Sequence, residues 1–411
     1  MKNISIIKTL FSLMMILLLP SLALAADFGL ITNVSGGYNN FDAEENKFNF
    51  KTDFWPRFSA LIGDNAEVLV TAGFTLGMEE EFYTVPELLN TEFLINIGAS
   101  QIRAGRFNYS DPLAFIADGL FDGVQITYAS DSGYFKMGVW YTGFLYKKQA
   151  HITMTLTDFL DFSVPFTYDD FLNTYFAPKR LLASFGWEHP SVFETINIKT
   201  ALIGQTDLNN RDLKYHNQYL VLKADLPIDN FQIDLGGSIE FSQTVASESS
   251  FGIAFAGDFG FSWIVPADFN SRFAFTAKIA GGKVDDTVTA FVPITSKEYG
   301  YILKHKMSGL SVFGLDYSAS FNNPISVSIT GLYFVRNDLG TFSGYPLDEQ
   351  AIADNKGYFL GPEISARLVW SPASDLHLSL GGGVFVPSLG DAGSDERMKW
   401  RMELSAAMVL Y

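Results

Sequence analysis

The chain has 411 residues, with 28 Lys and Arg against 45 Asp and Glu, a net charge of −17 and no cysteine. The acidic excess excludes nucleic acid as a partner on electrostatic grounds, and the missing cysteines exclude disulfides and thiolate metal sites. A hydrophobic content of 48% beside 18% charged residues excludes a disordered acidic chain.

Residues 1–25 read as a secretory signal peptide, with Lys2 and Lys8, an apolar run from Leu10 to Leu19, and small residues at Ala23 and Ala25 before a cleavage point. No later stretch offers the roughly 18 consecutive apolar residues of a spanning helix. Length alone suggests two or three soluble domains. No Pro- or Ser-rich linker divides the chain, however, and 26–411 is expected to form one domain.

From there the dominant signal is a period of two. Scored for alternation, eighteen segments read as strands: 27–40, 46–63, 67–78, 90–97, 99–107, 119–129, 133–147, 177–188, 194–207, 215–227, 230–244, 250–264, 269–283, 308–322, 325–338, 357–370, 376–387 and 400–411. The segment from Phe251 to Trp263 is the clearest. Phe251, Ile253, Phe255, Gly257, Phe259, Phe261 and Trp263 alternate with Gly252, Ala254, Ala256, Asp258, Gly260 and Ser262. Its thirteen residues exceed the roughly 9 to 11 that a tilted strand needs to cross a bilayer. The segment from Gly357 has an outward row of Tyr358, Leu360, Pro362, Ile364, Ala366, Leu368 and Trp370, and the last one has Trp400, Met402, Leu404, Ala406, Met408 and Leu410, with Tyr411 in the opposite set.

The connections alternate in length. After even-numbered segments they are short, as at Asp64-Asn65, Gly98 and Asn323-Pro324, and the longest of the others are 148–176, 284–307 and 339–356. Short turns at one end and long loops at the other are the habit of bacterial barrels with an even strand count. The expected fold is therefore all-β: a membrane-spanning antiparallel up-and-down β-barrel in a bacterial outer membrane. It has about eighteen strands, with sixteen as the alternative.

If the apolar rows face lipid, the complementary rows face inward, because a basic side chain on the mid-bilayer lipid face costs up to about 2–4 kcal/mol. That parity sends Lys47, Lys51, Asp53, Arg57, Glu67, Glu92, Arg103, Lys136, Lys199, Lys223, Asp225, Asp234, Glu240, Asp258, Arg272, Lys278, Glu363 and Arg367 toward the lumen. Lys47, Lys51, Arg57 and Arg103 come from strands two to five, and Asp234, Glu240 and Asp258 from strands eleven and twelve, which implies a field across the pore. Local pairing with near neighbours is the alternative. The remaining acids fall in loops, among them Glu79, Glu80, Glu81, Asp158, Asp161, Asp169, Asp170, Asp348, Glu349 and Asp354, an acidic mouth that mildly favours cations.

Eighteen strands enclose more space than wall side chains fill. With Ala26 leading directly into strand one, no plug domain is expected. The loop 148–176, with Phe159, Leu160, Phe162, Val164, Phe166, Tyr168 and Phe171, is the candidate constriction, a rim cap or extended hairpin being the alternatives.

The stretch from Ile102 to Tyr128 resembles alginate-export-type and related substrate-specific porins, in which a strand ending in Gly-Arg leads through an Asp-containing loop to a Phe-Asp-Gly strand start. The matching residues are Gly105, Arg106, Asp111, Phe121, Asp122 and Gly123, with Phe107 where the family has Gln. The resemblance implies an eighteen-stranded outer-membrane porin.

Neither enzyme chemistry nor a cofactor is indicated. His151, His189, His216, His305 and His377 form no metal-type pair. His377 and Ser379 share one face of their strand, as two residues on a polar face do without catalytic meaning. The expected function is passive diffusion of small hydrophilic solutes, anionic ones included, through a charged lumen. Transport of hydrophobic compounds and a surface adhesive or structural role are the alternatives. The partners expected are membrane lipid and small solutes. A homotrimer stays open, since trimer interfaces and lipid faces are both apolar.

Overall fold

The computed structural model describes residues 26–41, 46–78, 81–247, 249–266, 269–321, 324–340, 353–354 and 356–410. The signal-peptide reading, Glu79, Glu80, Asp348, Glu349 and Tyr411 lie outside them.

Eighteen strands form one closed antiparallel sheet. They are β1 (Ala26–Asn39), β2 (Lys47–Ile62), β3 (Ala66–Met78), β4 (Phe82–Ile97), β5 (Ser100–Ser110), β6 (Asp118–Ser130), β7 (Gly133–Tyr141), β8 (Arg180–Val192), β9 (Ile196–Asp207), β10 (Lys214–Ile228), β11 (Phe231–Val245), β12 (Ser249–Val265), β13 (Asn270–Ala280), β16 (Leu310–Phe321), β17 (Ile325–Arg336), β18 (Phe359–Ala373), β19 (Leu376–Phe385) and β20 (Lys399–Leu410). Two further two-residue strands, β14 (Glu298–Tyr299) and β15 (His305–Lys306), pair only with each other. Each barrel strand pairs with the next in sequence. β20 closes on β1 through a register running from Leu30 opposite Leu410 to Asn39 opposite Arg401. Closure leaves no strand edge, the condition for placing a sheet in hydrocarbon.

The two faces of β12 separate as its composition demands. Phe255 is 52% exposed and Phe259 39%, whereas Asp258 is 9% exposed and Gly252, Ala254, Ala256, Gly260 and Ser262 are buried. The greasy row is therefore on the outside of the closed sheet, and it is continued on neighbouring strands by Phe241, Leu235, Phe273 and Ile279.

Three boundaries move for identifiable reasons. β4 starts at Phe82 rather than 90, because a bulge shifts its register on β3: Thr71 opposes Asn90 while Ala72 opposes Leu88. The extra residue inverts parity there, so the alternation in the sequence breaks although the strand continues. β7 ends at Tyr141 instead of 147, since Leu145 turns inward into the core. On β18 a second bulge places Val335 opposite Phe359 and Phe334 opposite Gly361, so Leu360 is fully buried inside and Phe359 takes the outer position. The outward row read through Tyr358 and Leu360 is corrected at that point.

The core lies inside the barrel at its long-loop end. Phe107, Phe121, Trp140, Leu182, Tyr219, Phe334, Leu360 and Phe385 project inward near the long-loop ends of their strands and meet Leu113, Phe115, Ile116, Leu145, Ile152, Met154, Phe291, Ile294 and Met307 from the connections. Three short helices sit in the connection after β7: α1 (Lys147–Ala150), α2 (Leu156–Ser163) and α3 (Phe171–Thr174).

The outward assignment of β12 is checked by Phe255→Arg. It should lower the unfolding free energy of the barrel in lipid vesicles by about 2–4 kcal/mol, measured by denaturant titration, whereas Phe255→Leu should have little effect.

Candidate functional site: the luminal strap and the charged inner wall

Residues 281–309, between β13 and β16, do not stand away from the barrel. They cross it as a strap. The strap leaves β13 along β12, where Thr289 N donates to Ile253 O (3.0 Å) and Ile253 N to Thr287 O (2.8 Å). Val292 N then donates to the Glu240 carboxylate at 2.8 Å, and Val292 O accepts from the Tyr219 hydroxyl. In the middle, Ile294 N and Thr295 N donate to Ile116 O at 2.7 and 3.1 Å, and Ser296 N donates to His151 O at 2.6 Å. On the far wall the backbone N–H groups of Tyr301, Ile302 (3.0 Å) and Leu303 (2.9 Å) converge on the Glu363 carboxylate. Two buried wall carboxylates thus hold a backbone that would otherwise be left unpaired away from water.

The 111–117 connection supports the strap from below. Asp111 accepts from Leu113 N (2.8 Å), Ile116 N (2.8 Å) and Ala117 N (2.9 Å), which winds the loop tightly. Burial pushes its carboxyl up, partly offset by those three donors. Leu113 reaches Gly236 of β11, and Phe115 packs edge-on against Phe291 of the strap.

The Gly-Arg and Phe-Asp-Gly residues of the sequence come together around one ion pair. Arg106 donates through Nε and Nη2 to the two oxygens of Asp122, both at 2.8 Å, and also to Leu88 O (2.8 Å) and Phe144 O (2.9 Å). Gly105 has φ +104°, and a Cβ there would lie 1.8 Å from Thr91 O, so no other residue fits.

Beyond that pair, the inner-face charges settle mostly with near neighbours. Lys51 lies 3.3 Å from Asp53, Arg103 2.7 Å from Glu92, Lys136 2.7 Å from Glu188, and Lys278 2.8 Å from Asp258. Lys199 and Lys223 share Asp225 at 3.3 and 3.6 Å. Asp234 accepts from Gln232 at 2.7 Å. Lys47 stands opposite Asn39, Arg57 opposite Gly29, and Arg272, which is exposed, opposite Ser318. Arg367 donates to Ser379 at 3.0 Å. The expected field between a basic and an acidic wall is thus answered locally in part: Asp53 meets Lys51, Glu92 meets Arg103 and Lys278 meets Asp258, whereas Glu240 and Asp234 are held by neutral donors.

Sequence reasoning named a different connection as the constriction. Of 148–176, Ile152 and Met154 join the core, but Leu156, Phe159, Leu160, Val164 and Tyr168 are exposed. Phe166 and Phe171 join Tyr146 and Tyr175 in a separate aromatic cluster, anchored where the Tyr175 hydroxyl donates to Pro86 O at 2.8 Å. Asp158, expected in an acidic mouth, is fully buried, 2.5 Å from Arg180 and 2.8 Å from Arg211, which ties α2 to the barrel. Nothing in the sequence of 281–309 marks it as luminal except Phe291, Val292, Ile294 and Ile302. The His377 and Ser379 pair does not form either. His377 meets Ser371 at 2.7 Å, and Ser379 meets Ser405 at 2.6 Å.

Among the described residues no cluster of three or more His, Asp and Glu is placed to hold a metal ion.

A closed eighteen-stranded antiparallel barrel with an apolar exterior and loops drawn into its lumen is the architecture of a membrane-spanning β-barrel. No protein-family model and no curated protein sequence matches the chain. In structure it is similar to a BenF-like porin from Pseudomonas fluorescens Pf-5, with a TM-score of 0.60 at 10% identity over 94% of this chain and 98% of that one. It is also similar to OccK2 (OpdF) of Pseudomonas aeruginosa, solved in complex with glucuronate (0.58, 11%, 94% and 96%), and to the outer membrane protein OprD from the same organism (0.56, 12%, 94% and 93%). At these identities the likeness is one of fold.

Two outcomes test the site. Arg106→Ala leaves Asp122 without its guanidinium and should cost about 3 kcal/mol, read as a lower unfolding midpoint and faster proteolysis near Phe144. His305, in the strap, is pushed by burial from 6.5 down to about 3. Since its folded value lies below the unfolded one, its stabilisation is complete above about pH 6.5 and is lost as pH falls toward 3. Hydrogen-exchange protection of the strap should fall over that window, and less so in His305→Gln.

Proposed function

We propose that the chain is a porin of a bacterial outer membrane, through which small hydrophilic solutes, anionic ones included, diffuse passively past the strap. One observation carries the reading: around a closed sheet the apolar rows are exposed outside, and the charged and hydroxyl-bearing rows line the inside. In this reading Lys47, Lys51, Arg57, Arg103, Lys136, Lys199, Lys223, Asp234, Glu240, Asp258, Arg272, Lys278, Glu363 and Arg367 face the solute path, with Glu240 and Glu363 serving it indirectly as anchors of the strap. Membrane lipid is the partner of the outer face, and residues 1–25 act as the export signal. The fold likeness to solved outer-membrane porins supports the same reading. For the alginate-export-type resemblance, the Arg106 and Asp122 side chains are spent on each other, which favours small solutes over a polysaccharide.

A second reading, passage of hydrophobic compounds, draws on the exposed Leu156, Phe159, Leu160 and Leu172 of the 142–179 connection. Liposome swelling by sugars, set against uptake of a fatty acid, separates the two.

The purified barrel should give stepwise conductance in planar bilayers. Replacing 286–307 by a short Gly-Ser linker should raise the single-channel conductance, because the strap narrows the lumen. Silence at all voltages and salt concentrations counts against the porin reading, and unchanged conductance after strap removal counts against the strap as constriction.

A further inference from the structure

Where the strap reaches the far wall, a partly open cavity of about 190 Å³ lies against the inner face of β17–β20, lined by Tyr301, Ser328, Thr330, Ser365, Arg367, Ser379 and Glu403, with Ala366 and Gly381. This is below the roughly 300–1,000 Å³ of sites for drug-sized ligands. The lining follows from register. Ser328 opposes Arg367, which opposes Gly381, which opposes Glu403; one step along, Thr330 opposes Ser365 and Ser365 opposes Gly383. All of these project from the same face. The two glycines make room for the strap's Tyr301: a Cβ on Gly383 would stand 3.0 Å from its ring, and one on Gly381 3.3 Å from its hydroxyl. Arg401 lies over the same ring at 5.5 Å and donates to Glu403 at 2.5 Å.

The unused hydrogen-bonding capacity of this cavity is specific. Among the described residues, the Tyr301 phenol is buried with no partner, the Ser328 and Ser365 hydroxyls have none, and Arg367 bonds only the Ser379 hydroxyl and makes no ion pair. Three idle hydroxyls can each donate and accept. Arg367 only donates, and Glu403 only accepts. A bare carboxylate would satisfy the first and be repelled by the second. A neutral molecule carrying several hydroxyls matches both, because each of its O–H groups offers a donor and an acceptor.

Resting on the porin reading, we infer that this cavity is a solute subsite for a small polyhydroxylated molecule of monosaccharide size, read by Tyr301, Ser328, Ser365 and Arg367 with Glu403 as acceptor. The cavity is open on one side between strap and wall, which in the porin reading puts the subsite on the solute path.

Glucose and, separately, cyclohexanecarboxylate, a hydroxyl-free acid on a six-membered ring, serve as probes of the full-length barrel. Glucose should cause brief interruptions of the single-channel current. Tyr301→Phe and Ser365→Ala should each raise its dissociation constant about 3- to 10-fold, while Ser262→Ala, on the distant β12, should leave it unchanged. Saturation-transfer NMR of glucose on the folded barrel in detergent gives a readout that needs no current. Interruption by the acid but not by glucose would overturn the assignment, as would equal glucose affinity in the parent, Tyr301→Phe and Ser365→Ala proteins. Glucose binding by NMR without any channel current would instead sink the porin reading and leave the subsite standing.

Discussion

The constraint on which everything else depends is the pairing of β20 with β1. A membrane core offers no water to satisfy backbone N–H and C=O groups, and a sheet with two free edges cannot lie in it. Ten residue pairs, from Leu30 with Leu410 to Asn39 with Arg401, remove both edges at once. Once the sheet is closed, inside and outside become different solvents, and the side-chain alternation of each strand acquires a meaning it lacks in an open sheet.

Closure also creates a difficulty. Eighteen strands enclose a space that wall side chains do not fill, and a loop drawn into that space carries backbone polar groups that need partners. Here the partners are buried carboxylates: Glu240 and Glu363 for the strap, and Asp111 for the supporting loop. The apolar side chains of those loops in turn require an apolar wall, which explains why Phe107, Trp140, Leu182 and Phe385 point inward at one end of the barrel while Lys, Asp and Ser occupy the same faces lower down. The lumen is thus zoned along its axis, with a packed layer at the long-loop end and a wetter, charged layer toward the short turns.

Charge follows the same logic at shorter range. A pore wall with unanswered bases and acids on opposite sides would project a strong transverse field. Instead Lys278 sits against Asp258, Arg103 against Glu92, and Arg106 against Asp122. Among the described residues Arg367 donates to a serine hydroxyl and meets no carboxylate.

The sequence by itself determined an up-and-down barrel of about eighteen strands, the connection order and, away from the bulges, which rows face outward and which residues share an inner face, because a period of two and the length of each alternating run are local properties. It also determined that Asp258 and Lys278 lie on the inner set. Only the tertiary structure decided that these two meet, since register between strands depends on both at once. It alone decided which parts of the connections enter the barrel: Ile152 and Met154 join the core with Phe291 and Ile294 while Leu156 and Leu160 stay exposed, and what separates them is whether wall carboxylates and an apolar layer stand opposite. Bulges at Leu89 and Leu360 belong to the same class. An extra residue inverts parity without leaving a mark in composition, so the inward turn of Leu360 could be read only from its partners on β17.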